Sequence, residues 1–486
     1  MSWGLCETGY FIIFATDNKN DTMNGKLFFM TACLSCCSFQ QLSAQSRPGG
    51  ITPQMLQEIR QSVTPSLMRT ALSNAVAANA IDKLAENHSN AGDIDASFTF
   101  ETPIQSITDQ KSSGRCWMFS GLNVVRANYK LRTGRDVELS HVYLFFWDQM
   151  EKANLCLQGI IDTAKESMNH ERVRFFFKDP IGDGGTFCGV ADLTEKYGLV
   201  PKNIMPETFS SDNTAKMKSL ISSKLREDGL VLRKMVAEGK KGKLLEQEKT
   251  RMLSEIYGML SLTLGTPPRD FEFSLTGDKD NKRTFTPQSF CQVILEKPLN
   301  GSFIMVMNDP RHDYYKTYEV EYDRHTYDGH NWVYLNLPMD DIEALAIASI
   351  RSNHKLYSSY DVGKFLDRSR GYCDTENYDY GALFGTTFGM DKAQRISTFD
   401  SGSTHAMTLT AVELDSEGKA VKWKVENSWG ASYGYQGCLI MTDRWFREYM
   451  FRLVVDKEFV HEKLLKMCEQ KPVMLMPEDP LFLPDE

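Results

Sequence analysis

The sequence predicts an α+β protein, because helical and β-strand patterns occupy different parts of the chain. Apolar residues recur at helical spacing in the N-terminal half, for example at Met55, Ile59 and Val63. In the C-terminal third, the segment THAMTLTAVELDSEGKAVKWKVENSWG consists of two alternating runs around the turn DSEGK. With 486 residues, 42% of them hydrophobic and 24% charged, the chain is typical of a soluble globular protein of two or three units.

The charge and cysteine content exclude several classes of function. The formal net charge of −9 provides no basic surface for nucleic-acid phosphates. Eleven cysteines in so long a chain are too sparse for a disulfide scaffold. Cys33 and Cys36 have a C-x-x-C spacing but lie inside an apolar run, and no cysteine of the main body has a spacing typical of zinc ligands. We therefore expect no nucleic-acid partner, and the motifs imply no metal and no organic cofactor.

The first 44 residues are predicted to be a leader. Residues 23–44 contain a lysine, a short apolar run and small residues before Gln45, which are the three parts of a secretory signal peptide. Met23 is then the true start, and residues 1–22 are an extension. The pattern predicts export to the periplasm or the extracellular space, with a buried N-terminal hairpin as the alternative. The apolar run is too short to span a bilayer, and we expect no membrane span elsewhere.

Four helical stretches are predicted after the leader. One covers residues 51–90, one begins at Cys116, and one is the apolar segment SHVYLFFWDQMEKANLCL, whose continuous hydrophobicity indicates burial. A fourth follows the glycine-rich loop DPIGDGG and ends where Gly198 and Pro201 stop it. The N-terminal half is therefore expected to be mainly helical.

The middle of the chain differs in composition. Residues 214–264 are dominated by Lys, Glu, Leu and Met, and they predict a long helical hairpin with its hinge near AEGKKGK. Helices this charged and exposed usually pack on a larger body or on another subunit. From about Phe271 to Leu337, aromatic and β-branched residues predict strands.

The candidate nucleophile is Cys116, at the point where the loop DQKSSGR becomes a helix. A cysteine kept only for packing would more naturally lie inside the helix. At the first turn, unpaired backbone N–H groups and the positive end of the helix dipole favour the thiolate over the thiol. Gln110, six residues earlier, is placed to form an oxyanion hole with the backbone N–H of Cys116.

The C-terminal hairpin supplies two partners for this thiol. If the turn is centred on Ser416, then Leu409 faces Trp423, apolar pairs share one face and polar pairs share the other, as in a half-buried hairpin. The same register sets His405 opposite Asn427. An imidazole can take the thiol proton, and an asparagine oxygen can orient the imidazole.

Four separated segments give the chain a specific resemblance to a known family. QKSSGRCWMFS, DGGTF, HAMTLTAV and VENSWG resemble the papain-like cysteine peptidases, and more closely the bleomycin hydrolase and bacterial aminopeptidase C branch. The resemblance extends from about Gln45 to the C-terminus. It implies a papain-like fold with a large, mainly helical insertion between the catalytic cysteine and histidine. Cys116 and His405 are about 290 residues apart, against roughly 130–150 in a plain papain-like domain.

The resemblance implies a role for each candidate residue. It makes Cys116 the nucleophile, His405 the base and acid, Asn427 the residue that orients the imidazole, and Gln110 an oxyanion donor. The other candidates are expected to meet the substrate or to shield the site: Gly184, Gly185, Trp429 and Glu486. The glycine pair allows a peptide backbone to approach closely, Trp429 covers the bond between histidine and asparagine, and the carboxylate of the last residue meets the free amine of the substrate.

An assembly and an activity are also implied. In this family such insertions build a homohexameric barrel, and the C-terminal tail blocks the deeper cleft, which turns an endopeptidase fold into an aminopeptidase. The expected function is removal of N-terminal residues from peptides with a free N-terminus, through an acyl-enzyme on Cys116. An open-cleft endopeptidase, a non-catalytic peptide-binding chamber and a transglutaminase-like acyl transferase are the alternatives. Here the tail ends in LPDE, where relatives commonly end in small residues. Most members of the branch are cytoplasmic, which is the alternative to export.

These inferences divide the chain into six predicted segments. They are a leader (1–44, with the signal peptide at 23–44), an N-terminal helical segment (45–100), a helical part with the catalytic cysteine (101–205), the insertion with the oligomer contacts (206–345), a β part with the histidine and asparagine (346–468), and a tail in the cleft (469–486).

Overall fold

The computed structural model of the protein describes residues 48–477 together with Asp479 and Leu481. The predicted signal peptide at 23–44 and the predicted amine-binding residue Glu486 lie outside the described residues. Within the described part of the chain, no helix combines the length and apolar character that crossing a membrane requires.

The chain divides into two compact units, Met1–Asn74 and Ala75–Glu486. In the described part of the first unit lie helix α1 (Pro53–Gln61) and most of helix α2 (Leu67–Ala78). Thr52 caps α1 by accepting a hydrogen bond from a first-turn N–H, and the proline stands at the first helical position, where its missing N–H costs nothing. These two helices confirm part of the helical prediction for 51–90.

Helices account for most of the N-terminal half of the second unit, and further helices lie in its C-terminal half. They are α3 (Ile81–Ala85), α4 (Cys116–Thr133), α5 (His141–Asp162), α6 (Glu171–Lys178), α7 (Phe187–Tyr197), α8 (Phe209–Asp212), α9 (Ala215–Ala237), α10 (Lys243–Leu264), α11 (Pro287–Ile294), α12 (Met339–Arg351), α13 (Tyr380–Phe384), α14 (Lys392–Ser397), α15 (Asp443–Tyr449) and α16 (Glu462–Cys468). Helices α9 and α10 form the helical hairpin predicted for 214–264, and both pack on α5. Helix α11 lies in the stretch for which strands were predicted, because a capping box on Thr286 and Pro287 start a helix there.

The strands form one large sheet and one separate pair. They are β1 (Phe100–Glu101), β2 (Phe271–Phe273), β3 (Arg283–Phe285), β4 (Phe303–Met307), β5 (Thr317–Val320), β6 (Val333–Asn336), β7 (Leu356–Tyr360), β8 (Leu366–Asp367), β9 (Tyr372–Cys373), β10 (His405–Leu414), β11 (Ala420–Glu426), β12 (Cys438–Thr442), β13 (Met450–Asp456) and β14 (Val473–Leu475). The large sheet has the order β14-β5-β6-β4-β13-β7-β10-β11-β12-β9-β8, β1 also pairs with β10, and β2 pairs with β3. The predicted segment boundary at residue 345 falls between strands of this one sheet.

Both faces of the large sheet are covered by apolar cores. One core joins the sheet to α4, α5, α7, α9 and α10, and the other joins it to α12 and α15. At the start of β10, consecutive side chains enter different cores, with Ala406 in the first and Met407 in the second. The predicted half-buried hairpin is therefore wrong, because its polar face is also covered. Lys422 and Lys424 both lie over the ring of Phe98.

The register of the hairpin formed by β10 and β11 also differs from the prediction. Leu409 pairs with Val425 instead of Trp423. The turn runs from Asp415 to Lys419, because the Asp415 carboxylate accepts two backbone N–H bonds within it, and this moves the centre of the hairpin along the chain. A β-bulge after Leu409 shifts the pairing once more.

Candidate active site

Cys116 is the first residue of α4, as the sequence predicts. Its sulfur accepts a hydrogen bond from the backbone N–H of Ala406 at 3.4 Å, which places the thiol against the beginning of β10. Helix α4 packs along that strand. The thiol therefore lies both at a helix N-terminus, where a thiolate is stabilised, and beside the strand that carries His405.

The loop before Cys116 is held from behind by a fully buried arginine. Arg115 donates to the Glu207 carboxylate at 2.8 Å, to the carbonyl of Ser211 at 2.8 Å and to the hydroxyl of Ser113 at 3.0 Å. A buried guanidinium needs this full set of acceptors. The contacts fix the loop and leave Cys116 at the wall of the cleft.

His405 and Asn427 are in contact, although the predicted register is wrong. His405 is the first residue of β10 and pairs with Tyr360 of β7, not with Asn427. Asn427 directly follows β11, and its Oδ1 lies 2.8 Å from His405 Nε2. The contact is thus made where the two strands end, and both residues are buried.

The hydrogen bonds of Asn427 determine the tautomer of His405. The backbone N–H of Ser428 lies 2.7 Å from the Asn427 oxygen, and a backbone N–H can only donate. The atom that it meets is therefore the amide oxygen. Because the same oxygen contacts His405 Nε2, that nitrogen carries the hydrogen, and Nδ1 is the nitrogen that can accept a proton from the thiol.

The surroundings of His405 favour the neutral imidazole. Burial lowers its pKa to about 4, while the hydrogen bond to Asn427 acts in the opposite direction. The Trp429 ring packs against the imidazole with centroids 4.7 Å apart. Trp429 packs beside His405 and is not among the residues that line the cavity. A neutral imidazole is the form that can remove a proton.

Gln110 is clamped so that its amide nitrogen lies at the cleft. Its Oε1 accepts from the Ser428 hydroxyl at 2.5 Å, and its Nε2 donates to the carbonyl of Ser113 at 2.5 Å. An amide nitrogen has two hydrogens, so a second donor remains for a ligand. Gln110 and Cys116 line the same cavity.

The cavity has a volume of about 370 Å³. Its wall includes Gln110, Cys116, His405, Gly184 and Gly185. A Cβ on Gly184 would meet open space, whereas one on Gly185 would overlap the ring of His325. Packing within the protein therefore requires a glycine at position 185, but it does not require one at position 184.

The C-terminal segment reaches this cavity. Strand β14 runs parallel to β5, and beyond it Pro477 and Leu481 line the cavity. Asp479 anchors the segment through an ion pair with Arg311 at 2.7 Å. Leu481 is buried, and its N–H donates to Asp479 at 3.0 Å. The described part of the tail therefore contacts the cavity, and Glu486 lies beyond the described residues.

Sequence reasoning missed a polar group behind the two glycines. Lys152 donates to the carbonyls of Gly182 and Gly184, at 2.9 and 2.6 Å. His325 Nδ1 lies 2.5 Å from the Asp148 carboxylate. The spacing of Asp148 and Lys152 on one helix was visible in the sequence as an i, i+4 pair, but nothing indicated a histidine from so distant a part of the chain.

The other described cysteines have surroundings unlike those of Cys116. They are Cys156, Cys188, Cys291, Cys373, Cys438 and Cys468. Burial raises the pKa of all six thiols, to about 12 for Cys156 and about 11 for Cys438. A raised pKa keeps a thiol in its protonated form, which is a poor nucleophile.

Comparison with known proteins gives extensive matches. Residues 50–482 match the family model described as the Peptidase C1-like family. Aminopeptidase C of Streptococcus thermophilus is 37% identical over 420 residues, which are 85% of this chain and 94% of that protein. Bleomycin hydrolase of Homo sapiens is 37% identical over 387 residues, covering 77% of this chain and 85% of that protein. The crystal structure of PepW from Lactobacillus rhamnosis superimposes with a TM-score of 0.83 at 35% identity, covering 89% of this chain and 99% of that chain.

These matches confirm the resemblance inferred from the sequence motifs. They span most of the described chain, including the helix of Cys116 and the strands that carry His405 and Asn427. The predicted α+β fold of the papain-like type is confirmed with them. The chain therefore belongs to the Peptidase C1-like family of cysteine peptidases.

Proposed function

We propose that this protein is a cysteine aminopeptidase that removes N-terminal residues from peptides. The observation that carries the proposal is the arrangement of Cys116, His405 and Asn427 at a cleft that the C-terminal segment of the same chain enters. Relatives named aminopeptidase C and bleomycin hydrolase favour this function over an open-cleft endopeptidase and over a non-catalytic chamber.

In the acylation step, Cys116 Sγ attacks the first peptide carbonyl and its proton passes to Nδ1 of His405. The charge that develops on the carbonyl oxygen is stabilised by Nε2–H of Gln110 and the backbone N–H of Cys116. Asn427 accepts Nε2–H throughout and so holds the imidazolium in place. His405 then gives its proton to the leaving amine, which releases the shortened peptide.

In the deacylation step, His405 removes a proton from water, and the resulting hydroxide attacks the thioester on Cys116. The tetrahedral intermediate collapses with cleavage of the C–S bond, the first amino acid leaves, and the imidazolium of His405 returns its proton to the sulfur of Cys116. Trp429 packs over the imidazole and keeps water from competing for its bond to Asn427.

We assign substrate positioning to the glycine pair and to the tail. The substrate backbone lies along Gly184 and Gly185, and the terminal carboxylate of Glu486 meets the free amine. The support is the open space in front of Gly184 and the burial of Leu481 at the cavity wall. This proposed placement of the tail limits the peptide to one residue before the scissile bond.

We also propose that α9 and α10 belong to an insertion, residues 206–345, that carries the contacts of a homohexamer. The support is that apolar side chains remain exposed on both helices, with Leu262 at 90% and Leu230 at 56%. Analytical ultracentrifugation tests the assembly. Export through the signal at 23–44 stays a prediction, with a cytoplasmic location as the alternative, and sequencing the mature N-terminus tests it.

A paired peptide assay tests the proposed activity. One peptide has a free N-terminus, and the other is the same peptide acetylated. The full chain is expected to cut only the free peptide, and a chain without residues 483–486 is expected to cut both. Cys116→Ala is the control, which should fold but lose hydrolysis. Cleavage of both peptides by the full chain would make it an endopeptidase, and wild-type activity of Cys116→Ala would overturn the mechanism.

A further inference from the structure

The ring of His325 fills the space behind the glycine loop. We define the glycine loop as residues 182–186. Ring atoms of His325 lie 2.1 Å from the place where a Cβ on Gly185 would be, and 2.3 Å from the corresponding place on Gly189. The ring also packs on Trp117, with centroids 4.4 Å apart. His325 is 3% exposed. Because Trp117 follows Cys116 in the chain, this ring touches both the loop and the first turn of the nucleophile's helix.

Both nitrogens of His325 are engaged by the protein. The backbone N–H of Thr186 lies 3.3 Å from Nε2, and since that group can only donate, Nε2 is an acceptor. The ring hydrogen is then on Nδ1, which donates to Asp148 at 2.5 Å. His325 is therefore not placed as a second base, although it lines the cavity.

Lys152 extends this contact to the other end of the loop. Its Nζ lies 3.0 Å from the Asp148 carboxylate and donates to the carbonyls of Gly182 and Gly184. Burial alone would raise the pKa of Asp148, but Lys152 and His325 outweigh it and hold that pKa below its usual range. The ionised carboxylate thus joins the lysine that holds one end of the loop to the histidine that holds the other.

We propose that His325, Asp148 and Lys152 form a positioning network that holds the glycine loop in the conformation that binds the substrate backbone. This inference rests on the proposed function, in which the peptide lies along Gly184 and Gly185. Glycine residues permit close approach, but they have no side chain that could anchor them and they sample many backbone conformations. The anchor must therefore come from outside the loop, and the network supplies it from α5 and from the segment after β5.

Two inactivators separate substrate positioning from thiol reactivity. Phenylalanyl chloromethyl ketone, which has a free amino group, must lie in the cleft before it alkylates Cys116, whereas iodoacetamide only needs access to the thiol. We define the inactivation ratio as the rate with the ketone divided by the rate with iodoacetamide. In His325→Ala we expect this ratio to fall about tenfold or more, because the glycine loop is no longer held in the conformation that binds the ketone. In peptide hydrolysis, we expect KM to rise by a similar factor with kcat within about threefold of wild type.

Matched variants provide the controls. His325→Gln keeps one donor for Asp148 and one acceptor for the Thr186 N–H, so it should restore most of the lost ratio. His330→Ala removes another histidine–carboxylate pair, formed with Asp192 at 2.7 Å outside the cavity, and should leave the ratio unchanged. If His325→Ala does not fold, Lys152→Met removes the donors from the other end of the loop and should change the ratio in the same direction.

Three outcomes of these experiments test the positioning network and the proposed activity. An unchanged ratio in the folded variants overturns the inference. Equal loss of both alkylation reactions, without recovery in His325→Gln, also overturns it, because the network would then be only structural. If the inactivation ratio falls in His325→Ala as expected but the wild-type protein hydrolyses no peptide, the proposed aminopeptidase activity is refuted and the network stays supported.

Discussion

The ion pair between Arg311 and Asp479 holds the C-terminal segment in the cleft, and we expect its loss to change which peptides are cut. The guanidinium lies 2.7 Å from the Asp479 carboxylate, which also accepts the N–H of Leu481. Asp479→Asn keeps the shape of the side chain and an oxygen for that N–H but removes the charge. Arg311 keeps its other partner, Asp309, so the variant leaves no unpaired buried charge.

The magnitude follows from the partial burial of this pair. Both side chains are 11% exposed, so the pair is worth more than an exposed ion pair, whose contribution is usually below about 1 kcal/mol. A charge-assisted hydrogen bond in such surroundings contributes about 2 kcal/mol. Loss of about 2 kcal/mol raises the population with the tail outside the cleft about 30-fold.

The assay compares hydrolysis of an acetylated peptide with hydrolysis of the same peptide bearing a free N-terminus. For Asp479→Asn we expect the ratio of the two rates to rise about 30-fold. Asp313→Asn is the matched control, because that carboxylate forms an exposed ion pair with Lys316 at 2.6 Å. An unchanged ratio in a stably folded Asp479→Asn would show that this ion pair does not hold the tail.

The same anchor has a defined pH dependence. Burial raises the pKa of Asp479, but the nearby His312 and the hydrogen bonds from Arg311 and the Leu481 N–H outweigh it and lower the pKa below its usual range. A carboxyl whose pKa is lowered by folding contributes stability above its unfolded value and loses it as the pH falls through the folded value. The tail should therefore stay anchored at neutral and mildly acidic pH. The rate of acetylated-peptide cleavage divided by that of free-peptide cleavage should rise only below the usual carboxyl range, and this ratio removes the loss of activity that protonation of His405 causes in both reactions.

Three further predictions concern the reaction and the core. Asn427→Ala should lower kcat/KM about 10- to 100-fold. In the wild type the hydrogen bond to Asn427 raises the pKa of His405, so its removal should lower that pKa and move the acid limb of the pH profile below about pH 4. A limb that moves upward would contradict this. Gln110→Ala should lower kcat by about 100-fold or more while iodoacetamide alkylation keeps its rate, and equal loss of both would argue against an oxyanion role. Burial lowers the pKa of Lys392 to about 7, so above that pH the unfolded chain keeps a proton on this lysine that the folded chain has lost. Denaturant titrations give the free energy of unfolding of the wild type minus that of Lys392→Met. This difference should rise by roughly 1.4 kcal/mol per pH unit from about pH 7 towards 10. A difference that does not change with pH would refute the prediction.

The catalytic candidates could be predicted because local pattern places each of them. Cys116 follows a loop and begins a strongly apolar helix, and that change of pattern is visible in the sequence. The contact of His405 with Asn427 was inferred from a register that is wrong, yet both residues lie at strand ends that meet at the cleft. A turn stabilised by the Asp415 side chain and a β-bulge moved the pairing, and alternation of apolar residues reports neither feature.

Other parts of the site could not be predicted, because long-range packing determines them. His325 lies 177 residues from Asp148, and only the fold shows that two glycines make space for its ring. Burial of Lys422 and Lys424 was missed because a residue before β1, Phe98, covers what looked like a solvent face. The sequence pattern describes one strand or helix at a time, whereas these features depend on which elements become neighbours.

The position of β13 in the sheet has a consequence for the order of events during synthesis. Strand β13 lies between β4 and β7, although it is formed by residues far downstream of both. Until the ribosome has made β13, the strands around β4 are not joined to β7 in one sheet, because β13 is the strand between them. Such distant pairing is slow to form, because the intervening chain must close first. We therefore expect a nascent chain to have a thiol but no assembled peptidase, so that hydrolytic competence appears only when nearly the whole polypeptide has emerged.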